Sequence, residues 1–343
     1  MIQTIRPIRH ILAAAAMTIA ATWGASGETL SREAFSSIGQ ETAVKAPADS
    51  SATVMTIDGT DISLADYLYL YNKNRDQQLT PMSRRDYLDL FVLYKLKVAE
   101  AREQGLDTTA AFVNELKGYR RQLSLQYIPE RRLRQIAKSG GGRITYLAID
   151  RECDSLEAAE PAYRRLLEEY HEGMLLFEIS DRMVWQRARD DRDGMTAFYE
   201  SNIDSYKWDE PRIKGYVIWT ENDSTAQAVA VTVNTLADTD DMEAVKEIRK
   251  RHGRRVKIEH YLVKRGENPS IDALYAGKPA SGPEKRWTHG VAMRLRLVAQ
   301  PEGIADVRGK LTNDYQEYLA KNWETALRRR HTVMVDYNVL DEE

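Results

Sequence analysis

Six histidines, one cysteine and a few glycine- or aspartate-rich runs hold most of the reactive chemistry in this 343-residue chain. A helical metal site needs ligands three or four residues apart on one face. His10, His171, His252, His260, His289 and His331 contain no such pair, so each is expected at a surface or boundary position. Cys153 stands alone; it can neither close an internal disulfide nor complete a zinc site by itself, and an inert thiol is expected. Gly140-Gly141-Gly142 lacks the Lys-Ser/Thr that grips phosphate and precedes a strand-like stretch, so it reads as a flexible joint. Asp190-Asp191-Arg192-Asp193-Gly194 begins like a calcium loop, but the remaining ligands do not follow in register, and a helix cap is expected instead. No Gly-x-Ser-x-Gly elbow occurs. The residues therefore predict no catalytic group, no metal and no cofactor.

Binding chemistry is better represented. Eighteen tyrosines and six tryptophans outnumber five phenylalanines, which suits surfaces that are part apolar and part wet. Tyr71, Met82, Tyr119, Tyr127, Met174 and Met195 are the residues expected to line a client-binding groove, the methionines supplying adaptable contact. The competing reading places all six in the core. A formal net charge of -3 and a pI near 6.2 argue against a nucleic-acid partner, which selects a strongly basic face. The densest basic run, Arg249 to Arg255, reads as a solvated helix end, or else as a contact for acidic headgroups or an acidic client loop.

These groups need elements to position them. Val54, Met55 and Ile57 with Asp58-Gly59 predict a short strand and turn. Ser63 caps a helix with Leu64, Tyr67, Leu68 and Tyr71 on one face. Ser83 opens a longer helix, apolar over too wide an arc for a surface position and ended at Gly105. Asp107 is expected to cap a third, and Pro129 to start a short basic fourth helix running to about Lys138. Arg143 to Asp150 reads as a strand, with helices over Ser155–His171, Leu176–Arg189 and Asp193–Ile203. Beyond Pro211 the pattern becomes β-α-α-β-α-β over 212–300. A long helix over about Ile304–Arg330 and a strand of alternating Val333, Val335, Tyr337 and Val339 finish the chain.

Export is written at the start. Arg6 and Arg9 precede the apolar run Ile11–Trp23, and Gly24-Ala25-Ser26-Gly27 follows, the pattern of a cleaved secretory signal. The run falls short of the roughly 20 residues that span a bilayer, and no other segment is apolar enough to do so.

The order of several phrases resembles the SurA-like chaperones of the PpiC/parvulin group. They are Tyr71-Asn72-Lys73-Asn74, Tyr87-Leu88-Asp89-Leu90-Phe91, Tyr94 to Ala101, Gly105-Leu106-Asp107-Thr108, Tyr119 to Leu123, Glu172 to Phe177 with Val184-Trp185, Phe198-Tyr199, Tyr206-Lys207-Trp208, and Asp314 to Leu319 with Trp323. Such proteins usually carry a parvulin domain before the Glu-Gly-Leu-Leu-like helix. Here only Lys138–Tyr170 separates the two parts, less than the roughly 40 residues a lone domain needs. The α+β segment 212–300 has a parvulin-like element order. Its opening strand reads Lys214-Gly215-Tyr216 where active parvulins have His-Ile-Leu, and its late strand Gly290-Val291-Ala292-Met293 lacks the family histidine.

The resemblance implies an α+β, mainly helical fold, in which the N- and C-terminal parts form one chaperone module and a degenerate parvulin-like domain is inserted. The expected divisions are a signal peptide (1–27), a flexible linker (28–52), a helical N-terminal chaperone region (53–137), a linker strand with helices (138–210), the α+β domain (211–300) and a C-terminal helix and strand (301–343). The implied function is an ATP-independent periplasmic holdase for unfolded outer-membrane or secreted proteins, with unfolded or extended polypeptides, and a full-length relative, as partners. The alternatives are an active prolyl isomerase using His260 or His289, and a structural subunit of an outer-membrane assembly complex.

Overall fold

The computed structural model describes residues 52–75 and 82–340, of which 66% are helical and 14% lie in strands. The fold is α+β and mainly helical. The expected signal peptide and all but the last residue of the 28–52 linker lie outside the described residues. The chain forms two compact units: one joins residues up to Asp190 with Gln316 onward, the other is Asp191–Tyr315.

In the first unit, β1 (Thr53–Ile57) turns into β2 (Thr60–Ser63) through Asp58-Gly59. Both turn residues have positive φ, 51° and 81°, the twist that a two-residue hairpin demands. On its other edge β1 pairs antiparallel with β6 (Val333–Val335), Met55 opposite Val335 and Ile57 opposite Val333. The Ser63 hydroxyl accepts from the Asp66 amide and starts α1 (Leu64–Arg75). Ser83 does the same for α2 (Arg84–Glu103), which buries Phe91 and Leu96 completely. Tyr67, Tyr71, Tyr87 and Phe91 cluster between these helices with ring centroids 5.2–6.1 Å apart, Tyr67 parallel to Tyr71 and edge-on to Phe91.

The next helix, α3 (Ala110–Tyr127), is capped by Thr109 and not by Asp107. Asp107 sits in a short 3-10 turn, two positions too early for its carboxylate to reach the free amides, whereas Thr109 Oγ1 accepts from Phe112 N. After α4 (Glu130–Ser139) the largest departure occurs. The expected strand Arg143–Asp150 is instead the start of α5 (Tyr146–Ala159), with Thr145 as its cap. Its β-branched alternation suggested a strand, but Ile149 and Cys153, four apart, pack on Ile128 and Leu133, which only helical spacing allows. Gly140–Gly142 thus joins two helices. Pro161 then opens α6 (Pro161–Ser180), so the breaks expected around residues 154 and 172–175 lie elsewhere. A π-helical turn, Asp181–Trp185, leads into α7 (Gln186–Asp190).

The second unit begins with α8 (Arg192–Ser201), whose cap is Asp191, accepting from Gly194 N. Then follow β3 (Arg212–Thr220), α9 (Asp223–Thr235), α10 (Asp241–His252), β4 (Val256–Lys264), α11 (Pro269–Tyr275) and β5 (His289–Val298). The antiparallel sheet has order β4-β3-β5. Helices cover both faces of β3, so its period-two alternation becomes a nearly continuous buried run. Ile218 packs with Val229, Val245 and Ile248 on one face. Ile213, Val217 and Trp219 meet Ile271 and Trp287 on the other. The long α12 (Ile304–Arg330) contributes Val307 and Leu311 to this unit, around Tyr206.

Gly215 marks a register shift against β5 at φ 151°, and a Cβ there would come within 2.6 Å of the Arg294 carbonyl oxygen. Gly215→Ala is expected to cost about 2–4 kcal/mol through backbone displacement. Urea titration followed by tryptophan fluorescence reads this directly, because Trp219 lies on the same strand.

Candidate functional site

The first unit contains an open groove of about 890 Å³. Its rim is the β1–β2 hairpin with α1; its opposite walls are α2 and α6. Its lining is mostly charged, with Ile57, Ile62, Leu70 and Leu167 among the apolar groups that share it.

Three glutamates on α6 organise these walls. Glu172 is 5% exposed and accepts from the Tyr94 hydroxyl at 2.6 Å, Lys95 Nζ at 2.6 Å and Arg102 Nη2 at 3.3 Å. Burial and the Glu172 carboxylate hold the Tyr94 phenol protonated well above its usual range. Glu169 accepts from Tyr69 Oη at 2.9 Å and from Lys73 at 2.8 Å, and Arg165 lies 5.1 Å from the centre of the Tyr69 ring. His171 and Arg102 hold the Glu168 carboxyl below its ordinary value. Each carboxylate thus has a cation, and the cationic stems, not closely packed apolar side chains, form much of the wall.

At one end the donor atoms of Asp58, Glu103 and His331 lie within 4.8 Å of one another, the one such group found among the described residues. Nδ1 of the buried His331 lies 2.6 Å from Asp58 Oδ2. With that nitrogen donating to the carboxylate, Nε2 is left to accept from Arg330 Nη2, 3.4 Å away. Arg330 also pairs with Glu100 and lies 3.5 Å from Glu103. A guanidinium therefore already supplies the positive charge a metal would bring, and the cluster is an ion-paired clasp between the hairpin turn and the chain preceding β6. Asp58 Oδ1 completes it by accepting from Thr332 N at 2.8 Å.

None of the six groove residues expected from sequence lines this groove. Tyr71 is in the core, its hydroxyl donating to the Met82 carbonyl at 2.9 Å. Met82 is half-buried and Met174 is buried. Tyr119 packs on Tyr170 and Tyr127 on Tyr163, at ring distances of 5.6 and 5.4 Å. Met195 belongs to the second unit, beside the Tyr206–Leu311 cluster. Sequence reasoning missed Glu168, Glu169 and Glu172. Their signal was a run of acids on a helix that also carries buried apolar residues, with the matching cations on helices far away in sequence.

The residues named for an isomerase do not converge either. His260 packs on Tyr216 at 4.9 Å, while His289 lies opposite Thr220 on the other side of β3. Four strand positions separate them, roughly 13 Å at about 3.3 Å per residue. Burial holds the His260 imidazole below its ordinary value.

No family model matches this chain, and no curated protein matches it. A solved structure from Campylobacter jejuni, reported in a description of two structurally related SurA-like chaperones, is similar over 83% of this chain and 99% of that chain, with a TM-score of 0.34 and 10% sequence identity. No described helix is long and apolar enough to cross a membrane.

Two outcomes follow from this geometry. Glu172→Ala strands Lys95 and the Tyr94 hydroxyl in a poorly hydrated wall and is expected to cost about 3 kcal/mol in chemical denaturation, with Glu172→Gln intermediate. The hydrogen bonds from His331 and Thr332 lower the Asp58 pKa, so its stabilising contribution is complete above the unfolded value and lost as pH falls through the lower, folded one. Asp58→Asn should therefore flatten the acid limb of a melting-temperature profile below about pH 4.

Proposed function

We propose that this protein is an ATP-independent holdase of the SurA-like kind, exported to the periplasm, which keeps extended polypeptide segments from aggregating. The observation that carries the reading is the open groove of about 890 Å³, with its mixed apolar and charged lining. An extended client places successive side chains on opposite sides, and a wall that mixes apolar contacts with flexible charged stems accommodates many sequences without selecting one. Holding requires no catalytic group. Micromolar affinity, about -8 kcal/mol, is enough to delay aggregation while permitting release. The phrases resembling SurA-like proteins, Tyr94 to Ala101 and Glu172 to Phe177, fall on the two helices that wall the groove. In this reading the segment 212–300 is a parvulin-like domain without isomerase activity, in keeping with the separation of His260 and His289.

The test is suppression of aggregation of a denatured outer-membrane β-barrel protein by the full chain, run beside a prolyl-peptide isomerisation assay. Protection without turnover is expected. Leu167→Asp, a change at a half-buried wall position, should lower protection at least fivefold, with circular dichroism confirming that the fold is retained. Turnover that disappears on replacing His260 or His289 would establish the isomerase instead. Protection unchanged by the wall substitution would remove the groove from the mechanism.

A further inference from the structure

The connection between α4 and α5 sets basic side chains beside exposed apolar ones. From Arg131 to Ile149 there are five basic residues, Arg131, Arg132, Arg134, Lys138 and Arg143, and no Asp or Glu, in a protein whose formal net charge is -3. Arg132 is committed to Glu152 at 2.5 Å. Arg131, Lys138 and Arg143 form no ion pair among the described residues, and Arg134, its side chain 73% exposed, reaches only Glu130 at 3.8 Å.

Helical geometry sorts these groups. Arg131, Arg134 and Lys138 are spaced i, i+3, i+7 and share one stripe of α4, opposite Leu133 and Ile136, which face inward. Every residue from Lys138 to Leu147 is exposed. Within that stretch Ile144, Tyr146 and Leu147 present 47%, 72% and 64% of their surfaces to solvent. Arg121, on α3 and paired with Asp150 at 2.6 Å, lies 4.7 Å from the centre of the Tyr146 ring, and Leu125 follows one turn later on α3, 48% exposed. The result is a protruding glycine turn bearing aliphatic and aromatic side chains, flanked by uncommitted cations. The capped N-terminus of α5, at Tyr146, adds the positive end of a helix to the same place.

We infer that this turn is a docking surface for an anionic phospholipid bilayer. Charge complementarity favours an anionic partner. The apolar residues then select a lipid surface over an acidic polypeptide. They stand outward on a turn rather than lining a cleft, so they enter a headgroup layer readily, whereas a folded partner would need a socket to receive them. Tyr146 is suited to the depth at which an aromatic ring meets both acyl chains and water. The site is distinct from the groove and does not depend on the holdase reading.

Vesicle co-sedimentation of the full chain tests this, using phosphatidylcholine vesicles with and without phosphatidylglycerol. Binding is expected only to the anionic vesicles and should fall with added salt. Arg134→Gln combined with Arg143→Gln should lower the partition coefficient about 25-fold, at about fivefold per basic residue near an anionic surface. Leu147→Ser should weaken binding without changing its salt dependence. Arg249→Gln with Arg254→Gln, in the other basic run, should leave binding intact. All these positions are exposed, so the melting temperature should not move. Absence of binding to anionic vesicles, binding unaffected by the Arg134/Arg143 pair, or loss with the Arg249/Arg254 pair alone would overturn the inference. So would tip variants that lose binding to polyglutamate but keep binding to vesicles.

Discussion

The first unit depends on β1 finding β6. Alone, β1 and β2 would be a two-stranded hairpin, a structure marginally stable in water. Val54, Met55 and Ile57 are all buried, and much of their cover comes from residues that follow Gln316. Three register positions are a short ladder, so side chains must supply the rest: Asp58 with His331, Arg330 with Glu100, and Lys97 with Glu324 beside the Trp323 ring at 5.1 Å. Closing so long a loop costs less than its length suggests, since the entropy grows only logarithmically. This lets a second unit with its own core occupy the intervening chain.

The groove is a consequence of how α6 is held. Its glutamates are too buried to be left without partners, and Lys73, Lys95 and Arg102 meet them from α1 and α2. Such pairs bring little net stability, because desolvation offsets most of the Coulombic attraction. They do fix the helix register and leave long, flexible stems where close-packed methyl groups would otherwise shut the space. The tyrosines serve a different end. Tyr67, Tyr71 and Tyr87 fill the core beside Phe91, where each ring is buried and the Tyr71 hydroxyl finds a backbone carbonyl, the arrangement a buried phenol requires.

Charge is distributed unevenly on this background. Most exposed cations have an acidic neighbour within the same element or across a short gap, as Arg251 has Glu247 and Lys257 has Glu284. Arg249, Arg254 and Arg255 lack one among the described residues, and so do Arg131, Lys138 and Arg143, which stand near the exposed Ile144, Tyr146 and Leu147. A solvated turn that served only to connect helices would have no physical reason to carry uncompensated positive charge beside exposed apolar groups.

Local chemistry made most of the elements readable. Ser63 and Ser83 announce helix starts through hydroxyls that satisfy free amides, Asp58-Gly59 announces a hairpin, and the element order over 212–300 follows from period alone. Segment 143–150 misled because Ile144, Tyr146 and Ile149 suit a strand as well as a helix; the packing of Ile149 and Cys153 on Ile128 and Leu133 decided between them. The groove was hidden for a related reason. A sequence shows that Glu172 is acidic and that Tyr71 is aromatic, but not which of them is buried against what. By itself the sequence determined where helices with a serine cap, such as α1 and α2, begin and which of their faces are apolar, because those depend on neighbours a few residues away. The tertiary structure alone decided the register in which β1 meets β6, that Tyr71 turns inward and that Glu172 meets Lys95, because burial and charge pairing are set by groups brought together from distant parts of the chain.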